Sequence, residues 1–326
     1  MARYSGSNTK ERPYKMYVSR VEPAGRMTPL VQLMTVVEGE LVVGAPERNS
    51  AQKAQTDSYI EDALAAVPDK DVYLFVHGYN NSFDSAILRM SSTWHYLGRK
   101  GVPVVYTWPA GHGGIFGYFA DRESGEYTVS NLKYAIRAIS RARNLERLHL
   151  IAHSRGTDVL SGALRELNLE IRAAGKDPRA ELKLQTVVLA APDIDPGVFA
   201  QRFIGERLAH VAQQVVIYVS NEDKALGMAV KVFRSKDRLG SLDAQSVRPG
   251  ARDLLTQLRG LQFVEARISG FGSTHAYVFS NPSAFSDLIK VLRDYAAPGK
   301  ETGRPMEREN GVWIVKKNYP VDTGRE

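Results

Sequence analysis

The apolar run Leu148-His149-Leu150-Ile151-Ala152, continued by His153-Ser154-Arg155-Gly156 and a helix-prone stretch from Thr157 to Asn168, constrains this chain more than any other feature. It sets a serine between a strand end and a helix start, with the small residues Ala152 and Gly156 two places to either side. Such a strand-to-helix turn is a nucleophile elbow: it forces the serine into strained backbone geometry and presents its hydroxyl at the top of a sheet. The flanking positions must be small because a larger side chain would meet the neighbouring strand or helix. Ala152 stands where the usual pattern has glycine. A chance Ser-x-Gly at a strand–helix turn reads identically, so the rest of the chain has to decide.

Along the chain, strands and helices alternate. Strands are predicted at Val72–Val76, Val104–Trp108, Leu148–Ala152, Val187–Ala191, Val215–Val219 and Phe263–Ile268. Helices are predicted at Ser85–Gly98, Ser130–Arg141, Thr157–Arg172, Pro196–Leu208, Ala225–Phe233 and Pro282–Tyr295, after a first one at Ser58–Ala66. This alternation means a mostly parallel sheet with helices on both faces, and an α/β-hydrolase fold once the serine turn is added. The near-continuous apolar character of Leu148–Ala152 suits a central strand covered on two sides. Residues 14–44 are rich in valine and leucine, with Glu38-Gly39-Glu40 as a turn, and read as antiparallel edge strands added before the core. The expectation is one domain over 1–297, with its core at about 72–295 and a partly flexible tail at 298–326. Within that tail, Val312-Trp313-Ile314-Val315 is apolar enough to add an edge strand or to dock on a partner.

Chain order then selects candidates for the remaining chemistry, since this fold supplies serine, acid and histidine in that sequence. Of seven histidines, only His210 and His275 follow a plausible acid. His275 closes the glycine-rich segment Gly270-Phe271-Gly272-Ser273-Thr274 between a strand and the last helix, where the base belongs; His210 ends a helix, where it suits the dipole. Two carboxylates compete for the acid. Asp223 follows the strand Val215–Val219, whereas Asp193 follows Val187–Ala191, one strand earlier. Either also reads as a helix N-cap, and Asp195, followed by Pro196, reads best that way. Asp223 is the preferred acid and Asp193 the alternative. An oxyanion hole is expected from the backbone N–H groups of Tyr79, in His77-Gly78-Tyr79 after the strand Val72–Val76, and of Arg155. His77 precedes the serine and is expected beneath the site, in packing or hydrogen bonding.

Bulk properties exclude other chemistries. The 326 residues contain no cysteine, which removes disulfides, thiolate nucleophiles and cysteine-bound metals. The hydrophobic fraction of 43% and charged fraction of 24% are those of a soluble globular chain. No run approaches the ~20 apolar residues of a membrane span, and the polar start Met1-Ala2-Arg3-Tyr4-Ser5-Gly6 lacks the core of a secretory signal, predicting a cytoplasmic protein. The formal charge of +7 is spread over the N-terminal arm and the region from Lys224 to Arg238, favouring weak attraction to anionic surfaces. Nothing in the chain matches a nucleic-acid motif. Pro109 to Glu123 falls outside the alternating rhythm; rich in glycine at first and then aromatic, it reads as a plain loop or as a lid over the sheet edge.

Taken together, Leu74-Phe75-Val76-His77-Gly78-Tyr79-Asn80, Tyr106-Thr107-Trp108-Pro109-Ala110 and Asp121-Arg122-Glu123-Ser124 resemble bacterial α/β-hydrolases grouped as a domain of unknown function, DUF900. Ile151-Ala152-His153-Ser154-Arg155-Gly156-Thr157, Leu189-Ala190-Ala191-Pro192-Asp193-Ile194-Asp195 and Ser220-Asn221-Glu222-Asp223-Lys224-Ala225-Leu226 extend the likeness over roughly Val72 to Tyr295. The resemblance implies a lipase- and esterase-like serine hydrolase and leaves the substrate open. The expectation is therefore a Ser154–His275–Asp223 esterase acting on a small-molecule or lipid ester without a metal or organic cofactor. A thioesterase or amidase with the same triad is the alternative, as is a non-catalytic binding protein. Oligomeric state is not legible.

Overall fold

The structure is a computed structural model. It describes residues 2–5, 15–18, 20–22, 34–38, 40–43, 58–111, 113–223, 225–226, 238–258, 260–267, 275–299 and 301–320. The strands are β1 (Ala2–Ser5), β2 (Lys15–Val18), β3 (Met34–Val37), β4 (Glu40–Val43), β5 (Asp71–Val76), β6 (Val102–Tyr106), β7 (Arg147–His153), β8 (Leu184–Ala190), β9 (Gln214–Val219), β10 (Leu261–Arg267), β11 (Glu307–Glu309) and β12 (Val312–Lys316). The helices used below are α1 (Phe83–Tyr96), α2 (Gly114–Ser140), α3 (Gly156–Ala173), α4 (Pro178–Leu182), α5 (Pro196–Phe199), α6 (Pro249–Gln257), α7 (Tyr277–Ser280) and α8 (Pro282–Arg293). Eight strands form the main sheet in the order β11-β12-β10-β9-β8-β7-β5-β6. All neighbours in it are parallel except the outermost pair, β11 and β12.

Side-chain alternation along the central strands creates two cores. Val72, Leu74 and Val76 of β5, with Leu148, Leu150 and Ala152 of β7, point to one face. There they meet Leu132, Ile136 and Ile139 of α2 and Leu160, Ala163, Leu164 and Leu167 of α3, residues spaced three or four apart along single helix faces. Tyr73, Phe75 and Ile151 point the other way, toward Met90 of α1 and Leu288, Val291 and Leu292 of α8. Because both faces are covered, β7 and β8 can be apolar almost throughout. Truncating Leu160 or Leu288, both fully buried, would cost about 2–5 kcal/mol.

Four departures from the sequence expectation have physical reasons. The N-terminal antiparallel pairing is present, with Val37 facing Glu40 across the turn at Glu38. However, β1–β2 and β3–β4 stand as separate two-stranded sheets, and β2 lies against α1 rather than extending the main sheet. The main sheet is extended from the other end of the chain, where β12 pairs in parallel with β10. The stretch from Gly114 to Glu123 is helix: α2 runs 27 residues, starting well before Ser130. Its first turns are fastened by the Tyr118 hydroxyl to Asp193, a contact no local propensity reports. The predicted helix after Asp195 begins at Pro196 but loosens into a π turn at Ala200–Gly205 and a 3₁₀ turn at Leu208–His210. Finally, α6 lies in a stretch where the sequence predicts no element; none of its nine residues is fully buried, and Leu255 alone among them packs against the core, too narrow an apolar face for the pattern to reveal. Most of the predicted helix Ala225–Phe233 lies outside the described residues.

Candidate active site

At the carboxyl ends of the central strands the chain turns sharply from β7 into α3, and Ser154 sits in the turn at φ 53°. That left-handed conformation is costly for a residue with a Cβ and persists where the surroundings over-determine it. They do so here. The Ser154 N–H donates to the carbonyl of Ala190, and its carbonyl accepts from the Thr157 N–H and hydroxyl. A Cβ at Gly156 would lie 2.3 Å from the carbonyl oxygen of His77, so no other residue fits there. Gly78 meets the same limit from the opposite side, its hypothetical Cβ falling 2.6 Å from Ser154 Cβ. The loop after β5 is thereby brought against the serine.

His275 and Asp223 converge on that serine. His275 Nε2 lies 2.7 Å from Ser154 Oγ, and His275 Nδ1 lies 2.8 Å from Asp223 Oδ2. With the proton on Nδ1 donated to the carboxylate, Nε2 is free to accept from the serine hydroxyl. Asp223 is fully buried, and its other oxygen, Oδ1, accepts from the N–H groups of Ala225 and Leu226. Helix cap and imidazole partner are therefore one residue, using one oxygen for each task. His275 itself is partly exposed, as a group that must meet a substrate has to be.

Asp193 is also buried beside the serine, its N–H directed at the Ser154 carbonyl at 3.4 Å. Its carboxylate is engaged elsewhere, accepting from the Tyr118 hydroxyl at 2.5 Å and ion-paired with Arg238 at 3.3 Å. Burial and this carboxylate push the Tyr118 phenol upward, keeping it a donor. Asp195 caps α5 through the N–H groups of Gly197 and Val198. His210 lies in the 3₁₀ turn before β9, and its carbonyl accepts from Arg179. The backbone N–H groups of Tyr79 and Arg155 donate to no other backbone carbonyl among the described residues, while the next one, Asn80, donates to Asp121 at 3.3 Å.

Two histidines under the site hold its loops in place. Trp108 donates its backbone N–H to His77 Nε2 at 3.2 Å and its indole N–H to the His77 carbonyl at 2.9 Å. His77 must then carry its proton on Nδ1, which faces the Gly78 carbonyl at 3.0 Å. Burial lowers its pKa, so it stays neutral. His153, next to the serine, was not foreseen as part of the site. Its Nε2 lies 3.1 Å from the carbonyl oxygen of His275, and burial holds its pKa well below the ordinary histidine value. As a neutral donor it tethers the backbone that carries His275. The available signal was a second histidine at the end of a strand with no solvent-facing side.

Of three comparisons with known proteins, one places the chain in a family. Residues 52–291 match the family model described as "Alpha/beta hydrolase of unknown function (DUF900)". The chain belongs to this family. Among solved structures it is similar to Thermogutta terrifontis esterase 2 phosphoramylated by tabun, with 12% identity, a TM-score of 0.39, and 70% of this chain and 82% of that chain covered. At that distance the likeness carries no argument about chemistry. A search of curated protein sequences found no match. Membership in DUF900 makes the protein an α/β hydrolase and leaves its reaction open. No helix among the described residues is long and apolar enough to cross a membrane.

Proposed function

We propose that this DUF900 protein is a serine hydrolase that cleaves carboxylic esters by two-step acyl transfer. The observation that carries the reading is the unbroken chain from Asp223 through His275 to Ser154, with links of 2.8 and 2.7 Å. In the first step Ser154 Oγ bonds to the ester carbonyl carbon as its proton passes to His275 Nε2. Asp223 keeps the imidazole in the required tautomer and stabilises the imidazolium. The carbonyl oxygen becomes an oxyanion facing the N–H groups of Tyr79 and Arg155, each contributing roughly 3 kcal/mol to the transition state. The C–O bond then breaks, and the alcohol leaves with the proton from Nε2. Water, deprotonated by the same nitrogen, attacks the acyl-enzyme, releases the acid and restores the serine hydroxyl.

Each part of the surroundings supports a role in this scheme. Gly78 allows the Tyr79 backbone to approach Ser154, and the neutral His77, clamped by Trp108, fixes the loop that carries both. The reaction draws on side chains and backbone N–H groups alone. Treatment with a fluorophosphonate probe tests it: one label per intact chain is expected, lost in Ser154→Ala, along with turnover of short-chain 4-nitrophenyl esters. A folded protein that neither labels nor turns over an ester would end this reading and favour a binding role.

A further inference from the structure

Immediately beyond His275 the surface is cut by a groove between α1 and the α7–α8 segment. A cavity of about 350 Å³ is lined there by Leu88, Arg89, Ala276 and Phe279 among others. It shares Ser92, Phe279, Ser280 and Phe285 with a second cavity of about 540 Å³, which continues along α8 past Tyr96, Ile289 and Lys290. The lining is aromatic and cationic. Arg89, Lys290 and Arg293 all face it, and among the described residues no aspartate or glutamate does.

Arg89 is the unusual member. Deeply set arginines are ordinarily paired, because an unpaired cation in a poorly solvated place is costly. The other deeply set arginines among the described residues obey that rule. Arg155 and Arg202 face Asp158, Arg238 faces Asp193, and Arg304 faces Asp287. Arg89 has no carboxylate partner among the described residues, and its Nη1 is shut off from solvent with no acceptor. Its guanidinium lies 4.9 Å above the ring of Phe279. That ring packs edge-on against His153 at 5.6 Å, so the cation sits one aromatic layer from the residue beside the nucleophile. Burial without a counter-charge lowers the Arg89 pKa, in keeping with a site short of an anion.

We propose that this groove receives the anionic end of the ester substrate, a carboxylate or phosphate carried on an apolar body, with Arg89 as its ion partner and Phe279 and Phe285 as the apolar wall. This rests on the serine-esterase reading for the word substrate, but the anion site itself does not. A guanidinium offers a planar fork of donors that matches either oxyanion. The protein is thereby assigned to half-esters or phosphate-bearing esters rather than to neutral fatty esters.

The test compares kcat/KM for mono(4-nitrophenyl) glutarate against 4-nitrophenyl pentanoate, which differ by a terminal carboxylate. A second pair, 4-carboxyphenyl acetate against phenyl acetate, moves the charge to the alcohol side. One pair should show a preference for the charged member of about tenfold or more, the worth of one charge-assisted hydrogen bond. Arg89→Gln should abolish that preference and Arg89→Lys should restore part of it. Free glutarate should inhibit competitively, and inorganic phosphate inhibiting more tightly than glutarate would assign the phosphate form. No preference in either pair, or one that survives Arg89→Gln, overturns the proposal. Should Arg89→Gln fail to fold, calorimetric titration of Ser154→Ala with glutarate and with inorganic phosphate decides, absence of binding by both being fatal. Anion binding without hydrolysis of any ester would refute the esterase reading alone. Hydrolysis of all four esters without discrimination would refute the anion site alone.

Discussion

Asp223 and Asp287 are both buried carboxylates held by hydrogen bonds, yet the regions around them are built to opposite ends. Asp287, on α8, accepts two bonds from the Arg304 guanidinium at 2.9 Å each and one each from the hydroxyls of Tyr218 and Tyr319 at 2.7 Å. Asp287, Arg304 and Tyr218 are fully buried. The charge is neutralised and saturated, and the cluster ties the segment bearing β11 and β12 to the sheet. Asp223 is left incompletely neutralised: two backbone N–H groups cap it, and its remaining partner is an imidazole that is partly open to solvent. A saturated charge stabilises and cannot respond. A carboxylate whose partner sits at the surface, beside a hydroxyl, can stabilise a positive charge as it develops.

The largest expected effect that would break this comparison is on turnover. Asp223→Asn keeps the helix cap, because asparagine caps as well as aspartate, but it loses the charge and favours the wrong tautomer. Ester hydrolysis should fall about 10⁴-fold, on the order of 5 kcal/mol, by analogy with the same change in other triads, while the melting temperature stays close to that of the parent. Steady-state kinetics and calorimetry on one preparation check both halves. Asp193→Asn should affect the rate far less; a larger loss than for Asp223→Asn would move the acid to the loop after β8.

Asp287→Asn should show the converse. Leaving Arg304 buried without its counter-charge should cost about 3–5 kcal/mol of stability, read by urea unfolding, with kcat per folded molecule retained at low temperature. A loss of kcat in protein that remains folded would join the two regions and erase the contrast.

Gly78→Ala tests the active edge without touching a charge. Its new methyl would press on Ser154 Cβ and on the His153 carbonyl, at 2.6 and 2.8 Å. A displacement of about 1 Å there should lower kcat by roughly 10²-fold, with KM changing much less. An unaffected kcat would mean that the loop after β5 does not position the oxyanion donors.

The smallest effect sharpens the comparison through pH. Burial lowers the pKa of His77 and of His153. Below about pH 6.5 the unfolded chain takes up protons on these residues that the folded chain refuses, so their contribution to stability is present above that pH and lost as pH falls toward the folded values. Urea midpoints should therefore decline between about pH 6.5 and 5, and replacing both histidines with glutamine should make that decline shallower, the remainder coming from His149 and His210, whose pKa burial also lowers. A midpoint that rises on acidification over this interval would contradict the neutral, clamped histidines beneath the site.

How much of this was legible beforehand depends on the range of the interaction. Ser154 could be read because an elbow is local: a strand, a turn and a helix within one short stretch. His275 followed from chain order and a glycine-rich loop. By the same logic Asp223 is preferred but Asp193 remains the alternative, since both follow buried strands and both suit a helix cap. What separated them is that Tyr118, from a helix expected to start later, and Arg238 occupy Asp193. The Arg304–Asp287 clamp had no signal at all, as no periodicity marks a lone arginine in a polar tail. The same holds for Arg89, which looks like any solvated helix arginine until its neighbours are known.

By itself, then, the order of residues determined the alternating strands and helices, the covered parallel sheet and the serine turn, because these depend on hydrophobic period and on steric limits between near neighbours. Tertiary structure alone decided which carboxylate faces the imidazole, which end of the chain completes the sheet and which deeply set arginine has no carboxylate beside it among the described residues. Those outcomes depend on the directions of a few side chains brought together from far apart in the chain, and a hydrogen bond over 2.8 Å leaves no trace in the spacing of the residues that make it.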